Sequence, residues 1–213
     1  MTGRKKAWIA LGAAAVVIAV GIAVPALLFD PVRGFPVPEV TAEDLERQTE
    51  VVRAAAAQLR EGDPRPGETL TLRQTPAQVR AILRITLKQY AFRDGLTSLP
   101  LRIDYRDDGR WSFVYIHDTG RRRLFGGGLR IDMTGRLSIC GGVVSFAADS
   151  LKIGAVRLPR AAARRFGDAA MESLNEDETV ADLAAAIRSL SSDESGELTV
   201  VVEPEELFWL MMK

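Results

Sequence analysis

Leu99-Pro100-Leu101-Arg102-Ile103-Asp104-Tyr105-Arg106-Asp107-Asp108-Gly109-Arg110-Trp111-Ser112-Phe113-Val114-Tyr115-Ile116 decides the fold class. Leu99, Leu101, Ile103 and Tyr105 alternate with Arg102, Asp104 and Arg106, the period of a strand with one buried face. Asp107-Asp108-Gly109 is a turn signal, and a second alternating strand follows it, so the pair reads as an antiparallel hairpin. Trp111, Phe113 and Tyr115 face one way on that second strand, and Val114 and Ile116 the other.

Downstream, Leu129, Ile131 and Met133 alternate with Arg130 and Asp132, and Gly120 and Gly135 read as further turns. Residues 136–148 are apolar on both sides, which predicts a central strand or one bordering a groove. Helices are expected over 159–174 and 180–190, the second with an apolar face of Leu183, Ala184, Ile187 and Leu190. A polar loop over 189–195 and a last strand through Leu198, Val200 and Val202 follow. Upstream, Thr41 caps a helix over 42–60 whose apolar face is Leu45, Val52, Ala55, Ala56 and Leu59. Glu68 to Arg73 is a short strand. Thr75-Pro76 then starts a helix with a stripe of Val79, Ile82, Leu83, Leu87 and Tyr90. The expected architecture is α+β, a curved antiparallel sheet packed against helices. No heptad pattern of coiled-coil length is present.

Ala7 to Phe29 is a run of 23 residues without a charge, and about 20 apolar residues cross a bilayer core as a helix. Val24-Pro25-Ala26 would be a poor cleavage site, with a proline inside it. The run is also longer than the apolar core of a signal peptide. It is read as an uncleaved transmembrane anchor over 7–29. Arg4, Lys5 and Lys6 precede it, so the positive-inside rule places residues 1–6 in the cytoplasm. Residues 30–40, with Pro31, Pro36 and Pro38, form an extended spacer, and 41–213 an extracytoplasmic α+β domain. The expected location is the plasma (inner) membrane, single-pass, facing the periplasm or cell envelope.

Composition removes several function classes. The chain has 28 basic and 28 acidic residues. Setting aside the three bases of the N-terminal cluster, the remainder is slightly acidic, which argues against nucleic acid as a partner. One cysteine and one histidine leave no cysteine cluster for zinc and no intramolecular disulfide. Cys140, inside Leu137 to Val144, is expected to be a buried core thiol. His117-Asp118 resembles a base with its orienting acid, but no nucleophile stands near it in sequence, and Cys140 would be the formal alternative. Asp104, Asp107, Asp108, Asp118 and Asp132 sit where turns and strand faces want acids. The chain is therefore read as a non-enzyme, with no cofactor and no metal. The ligand-binding candidates are the aromatics Trp111, Phe113 and Tyr115 and the basic run Arg121, Arg122 and Arg123. That run precedes Gly126-Gly127-Gly128, and guanidinium groups beside exposed backbone N–H groups can hold an anionic headgroup. Arg157, Arg160, Arg164 and Arg165 give the 159–174 helix a basic side. Leu207 to Met212 is an apolar tail suited to docking an envelope protein partner.

Leu70-Thr71-Leu72 with Thr75, and Ile153-Gly154 with Leu158-Pro159, resemble the bacterial bitopic envelope proteins of the YpmS type. The resemblance covers residues 68–165, and Arg80 stands where that family has an asparagine. It implies an anchored extracytoplasmic module, similar to elongated lipid-binding modules with a curved sheet around a helix. Lipid or another apolar ligand is the expected partner, and a non-enzymatic subunit of an envelope assembly is the alternative.

Orientation is directly testable. Alkaline phosphatase fused after Lys213 is expected to be active, and replacing Arg4, Lys5 and Lys6 with Glu should mix the two orientations. An inactive fusion on the unaltered chain would overturn the assignment.

Overall fold

In a computed structural model, the described residues are 29–30, 34–61, 69–118 and 128–204. They form an α+β fold of eleven strands and four helices. The strands are β1 (Phe29–Asp30), β2 (Phe35–Pro36), β3 (Leu70–Gln74), β4 (Ser98–Leu99), β5 (Leu101–Tyr105), β6 (Trp111–Asp118), β7 (Gly128–Cys140), β8 (Val143–Ile153), β9 (Val156–Arg157), β10 (Ile187–Ser192) and β11 (Leu198–Val202). The helices are α1 (Ala42–Glu61), α2 (Pro76–Arg93), α3 (Arg160–Asn175) and α4 (Glu178–Ala186). Nine strands make one antiparallel sheet; β2 and β4 pair separately.

The sheet is organised by β7. One of its edges carries β6 along residues 128–135 and then β10 at Ile139 and Cys140. The other edge carries β1 at Gly128 and Leu129 and β8 from Ile131 onward. Two ribbons, β5–β6 and β3–β11–β10, therefore share one edge of a single strand. Apolar rows cross each half. Ile103, Phe113, Met133 and Leu151 are cross-strand neighbours in one; Leu72, Val200, Leu190, Ile139 and Val144 are in the other. Each such pair adds a few tenths of a kcal/mol or more, to about 1.

Gly135 lies within β7 and is not a turn, contrary to expectation. The register shifts between Thr134 and Gly135 opposite Asp149, a β-bulge in β8 that re-aims the extra residue. A Cβ on Gly135 would overlap the Ala147 carbonyl oxygen and lie 2.8 Å from the Phe146 ring. The missing side chain is what lets Phe146 fill the core beneath it. The freed Asp149 carboxylate accepts hydrogen bonds from Arg110 Nε at 3.0 Å and Arg160 Nη2 at 3.1 Å, linking the end of one turn to the start of α3.

Residues 136–148, expected as one central strand, are a hairpin. Cys140 pairs with Val143 across Gly141-Gly142, whose φ values of 58° and 79° suit a two-residue turn that only glycine adopts without strain. Cys140 at the mouth of that turn is exposed, so the expected core thiol is corrected. The expected helix over 180–190 ends at Ala186, and Ile187–Ser192 is β10. The alanine run favours helix, but from Ile187 onward the chain pairs with β11 on one side and β7 on the other, and tertiary pairing overrides local propensity. The expected loop over 189–195 is thus largely strand, its turn confined to 193–196.

Val79 of α2 and Ala163 of α3 meet Tyr105, Trp111, Phe146, Ala148, Leu151 and Leu198 in one core, so both helices cover the same face of the sheet. Gly167 brings α3 close to Ala148 and Phe146. Asn175 at the end of α3 pairs with the β8 backbone, donating from Nδ2 to Val144 O at 2.9 Å and accepting from Val144 N at 3.0 Å. A smaller cluster of Ile139, Val144 and Ala184 lies beneath α4.

The turns after β5 and β10 grip each other. Gly109 N donates to Arg106 O, and Gly196 N donates to Asp193 O, so the two turns are alike. Both glycines have positive φ, 74° and 78°. The buried Tyr105 hydroxyl donates to Gly196 O at 3.0 Å, and Ser192 Oγ donates to Gly109 O at 2.8 Å. The residue before each turn thus reaches the glycine carbonyl of the other.

Two substitutions measure these constraints by urea denaturation. Tyr105→Phe should cost about 1–2 kcal/mol by stranding the Gly196 carbonyl. Gly135→Ala should cost more, about 3 kcal/mol or above, because the contact it creates is with backbone that cannot yield. Equal, small effects would contradict both accounts.

Candidate functional site

The aromatic row does not line an open groove. Trp111 is buried in the core and stacks on Phe113, with ring centroids 6.2 Å apart. Tyr105 and Phe146 complete the cluster edge-on at 4.9 and 5.4 Å. The Trp111 indole N–H is buried with no acceptor among the described residues. Tyr115 is exposed, its ring 6.3 Å from that of His117. Arg121, Arg122 and Arg123 lie outside the described residues, as do most of the expected anchor and the tail over 207–212. Among the described residues no helix is long and apolar enough to cross a membrane, and no three His, Cys, Asp or Glu side chains gather as metal ligands.

Three of the five aspartates named in the sequence are held by arginines. Asp107 accepts from Arg80, Asp108 from Arg110, and Asp132 from Arg130. Arg157, expected on the helix, lies in β9 and is exposed; on α3, Arg160 is bound to Asp149 while Arg164 and Arg165 are exposed.

A groove of about 420 Å³ runs between α2, β5 and the segment around β2. Phe35, Pro36, Pro38, Leu87, Leu99, Leu101 and Ile103 supply its apolar lining, and Arg80, Arg84, Arg102 and Asp104 its polar groups. Small-molecule sites typically have volumes of roughly 300–1,000 Å³, with apolar walls and few polar groups. Residues 30–40 are not simply the extended spacer that their prolines predict. Here Phe35 and Pro36 pair with Leu99 and Ser98 and become a wall. The signal that could have disclosed this is Phe35, an aromatic within an otherwise stiff, extended stretch.

Local sequence explains how the polar groups are held. Thr75 caps α2 reciprocally with Gln78, with Pro76 in the first turn. This fixes the helix phase that sends Arg80, Arg84 and Leu87 toward β5. Arg80 Nη1 donates to Tyr105 O at 3.1 Å and to Asp107 Oδ1 at 2.7 Å. Arg84 makes a two-pronged pair with Asp44 of α1, Nε to Oδ2 at 3.0 Å and Nη2 to Oδ1. Asp44 also closes the α1 capping box: Thr41 N donates to its Oδ2, and its own N–H donates to Thr41 Oγ1. Arg102 has no ion pair among the described residues and is the exposed cation at the mouth.

Asp44 is only 1% exposed. The Arg84 guanidinium holds its carboxyl well below the usual carboxylate range, against the opposing cost of burial, and Asp44 raises Arg84 in turn. β5 is also an edge strand. Ile116 N donates to Pro100 O, and that register directs the backbone groups of Leu101 and Ile103 away from β6, toward the groove.

No family model, curated protein or solved structure matches this chain.

Because the folded pKa of Asp44 is depressed, its contribution is fully present above the ordinary value of 3.8 and is lost as pH falls through the lower, folded value. Asp44→Asn should destabilise the chain at neutral pH by about 2 kcal/mol, less than a fully buried pair because Arg84 is partly exposed. Its stability should fall less steeply below pH 4 than that of the unaltered chain. Parallel acid limbs in pH-dependent thermal melts would contradict this account of the pair.

Proposed function

We propose that the chain is a membrane-anchored, extracytoplasmic binding protein of the cell envelope that holds a lipid or other apolar ligand in the α2–β5 groove. The observation that carries this reading is the groove itself, with seven apolar lining residues and the exposed Arg102, which makes no ion pair among the described residues. Such a surface removes an acyl chain from water, worth about 25 cal/mol per Å² of apolar area, and leaves a guanidinium beside an anionic headgroup. The uncharged run would be the anchor, ending by Leu28 because Phe29 pairs with Leu129 in the sheet. Six residues separate Leu28 from Phe35 in the groove wall, a reach of at most about 25 Å. A ligand leaving the outer leaflet would then meet the groove close to the bilayer.

The outward-facing β5 backbone favours a second reading, a partner's strand added to the sheet edge. In that case the chain is a structural subunit of an envelope assembly that docks through its ectodomain.

The full chain, purified in mild detergent, should show bound lipid by native mass spectrometry and take up a fluorescent fatty acid. Leu101→Glu should lower uptake about tenfold or more, since it places a charge in the apolar lining, and Arg102→Glu several-fold, with circular dichroism unchanged. No bound lipid and no uptake would overturn the ligand reading. A groove variant that instead abolishes capture of an envelope protein would favour strand addition.

A further inference from the structure

The large residues of the face expected to bury α1 do not do so. Leu45, Val52 and Leu59 are 51%, 60% and 41% exposed. The helix packs instead through Asp44, Val51 and Ala55. The exposed Ala42, Leu45, Thr49, Val52 and Leu59, with the half-buried Ala56, form a regular seam with steps of three and four. That is the spacing of coiled-coil core positions, carried for just under three heptads. The Thr49 hydroxyl already donates to Leu45 O at 2.7 Å within its own helix, so burying it strands no donor.

We propose that this seam joins two copies of the chain as an antiparallel helix pair. Size complementarity selects the occupant and the direction. Run against itself in reverse, the seam sets Ala42 opposite Leu59, Leu45 opposite Ala56 and Thr49 opposite Val52. Each large side chain meets a smaller one, and the twofold repeats all three layers. Charge agrees. Glu46 and Arg53 flank the seam on its outer side; both are exposed and neither makes an ion pair among the described residues. In the reversed pairing Glu46 of each copy faces Arg53 of the other, and the opposed helix dipoles attract. A parallel pairing would instead stack Leu45, Val52 and Leu59 on themselves and leave Glu46 and Arg53 facing uncharged Thr41 and Gln48. The seam is short. Confinement of anchored chains to one membrane would raise their effective concentration, but the pairing rests on the seam and not on the groove's ligand.

Disulfide trapping of the full chain in detergent, in a Cys140→Ser background, tests this. Two differently tagged copies are mixed, one carrying Leu45→Cys and the other Ala56→Cys. Oxidation should link the unlike copies, with each variant alone linking at least several-fold less. Like-with-like linkage through Leu45→Cys would mean a parallel pair and overturn the proposal, as would no linkage. Linkage of Ala56→Cys to Trp209→Cys within one chain would show that the C-terminal tail covers the seam, and would also overturn it. Glu46→Arg and Arg53→Glu should each lower the linked fraction about fivefold, and the two together should restore it. A double variant as weak as either single one would refute the pairing. Carbonate extraction of the same sample reports the anchor separately, so loss of membrane attachment is not mistaken for loss of the seam.

Discussion

The reciprocal grip between the β5–β6 and β10–β11 turns is the contact on which the rest of the molecule depends. Two ribbons share one edge of β7, and nothing in strand pairing alone makes their free tips converge. Tyr105 and Ser192 do so, each donating to the glycine carbonyl of the opposite turn. The approach is so close that a side chain on Gly196 would overlap the Asp107 backbone, and both glycines occupy the left-handed region that other residues enter at a cost. Once the tips are joined, Tyr105 and Trp111 from one ribbon and Leu198 from the other complete a common core.

The groove is a consequence of the same arrangement. Because β5 ends the sheet on one side, its outer backbone edge and the adjoining flank of α2 have no further strand to cover them. The segment around β2 folds over part of that gap. Arg80 joins α2 to the gripped turn through Tyr105 O and Asp107, and Arg84 joins α2 to α1 through Asp44. One wall is therefore connected at two points to elements far away in sequence. A site built on a helix and a strand held in this way is more precise than one built on loops.

Helix α1 shows how a single amphipathic pattern can serve two surfaces. Asp44 of α1 is buried against α2, while Leu45, Val52 and Leu59 face outward. Sequence periodicity locates the stripe but does not say whether the protein's own core or another chain covers it. The buried ion pair supplies what the pattern omits, because a carboxylate this buried is tolerated only beside its guanidinium.

By itself the sequence determined the α+β class, the β5–β6 hairpin and its glycine turn, the capped starts of α1 and α2, the last strand, and an N-terminal apolar run flanked by basic residues. These are local: alternation, caps and turn residues act over a few positions, and their physics is complete within that span. Only the tertiary structure decided the rest. It turned 136–148 into a hairpin, put Gly135 in a bulge, exposed Cys140 and drew Ile187–Ser192 out of a helix. It also withdrew Trp111 and Phe113 into the core while assembling a groove from Phe35, Arg84 and Leu101, residues with no common motif. In each case the deciding partner lies far along the chain, and its pairing or packing energy outweighs the small local preference that a sequence pattern records.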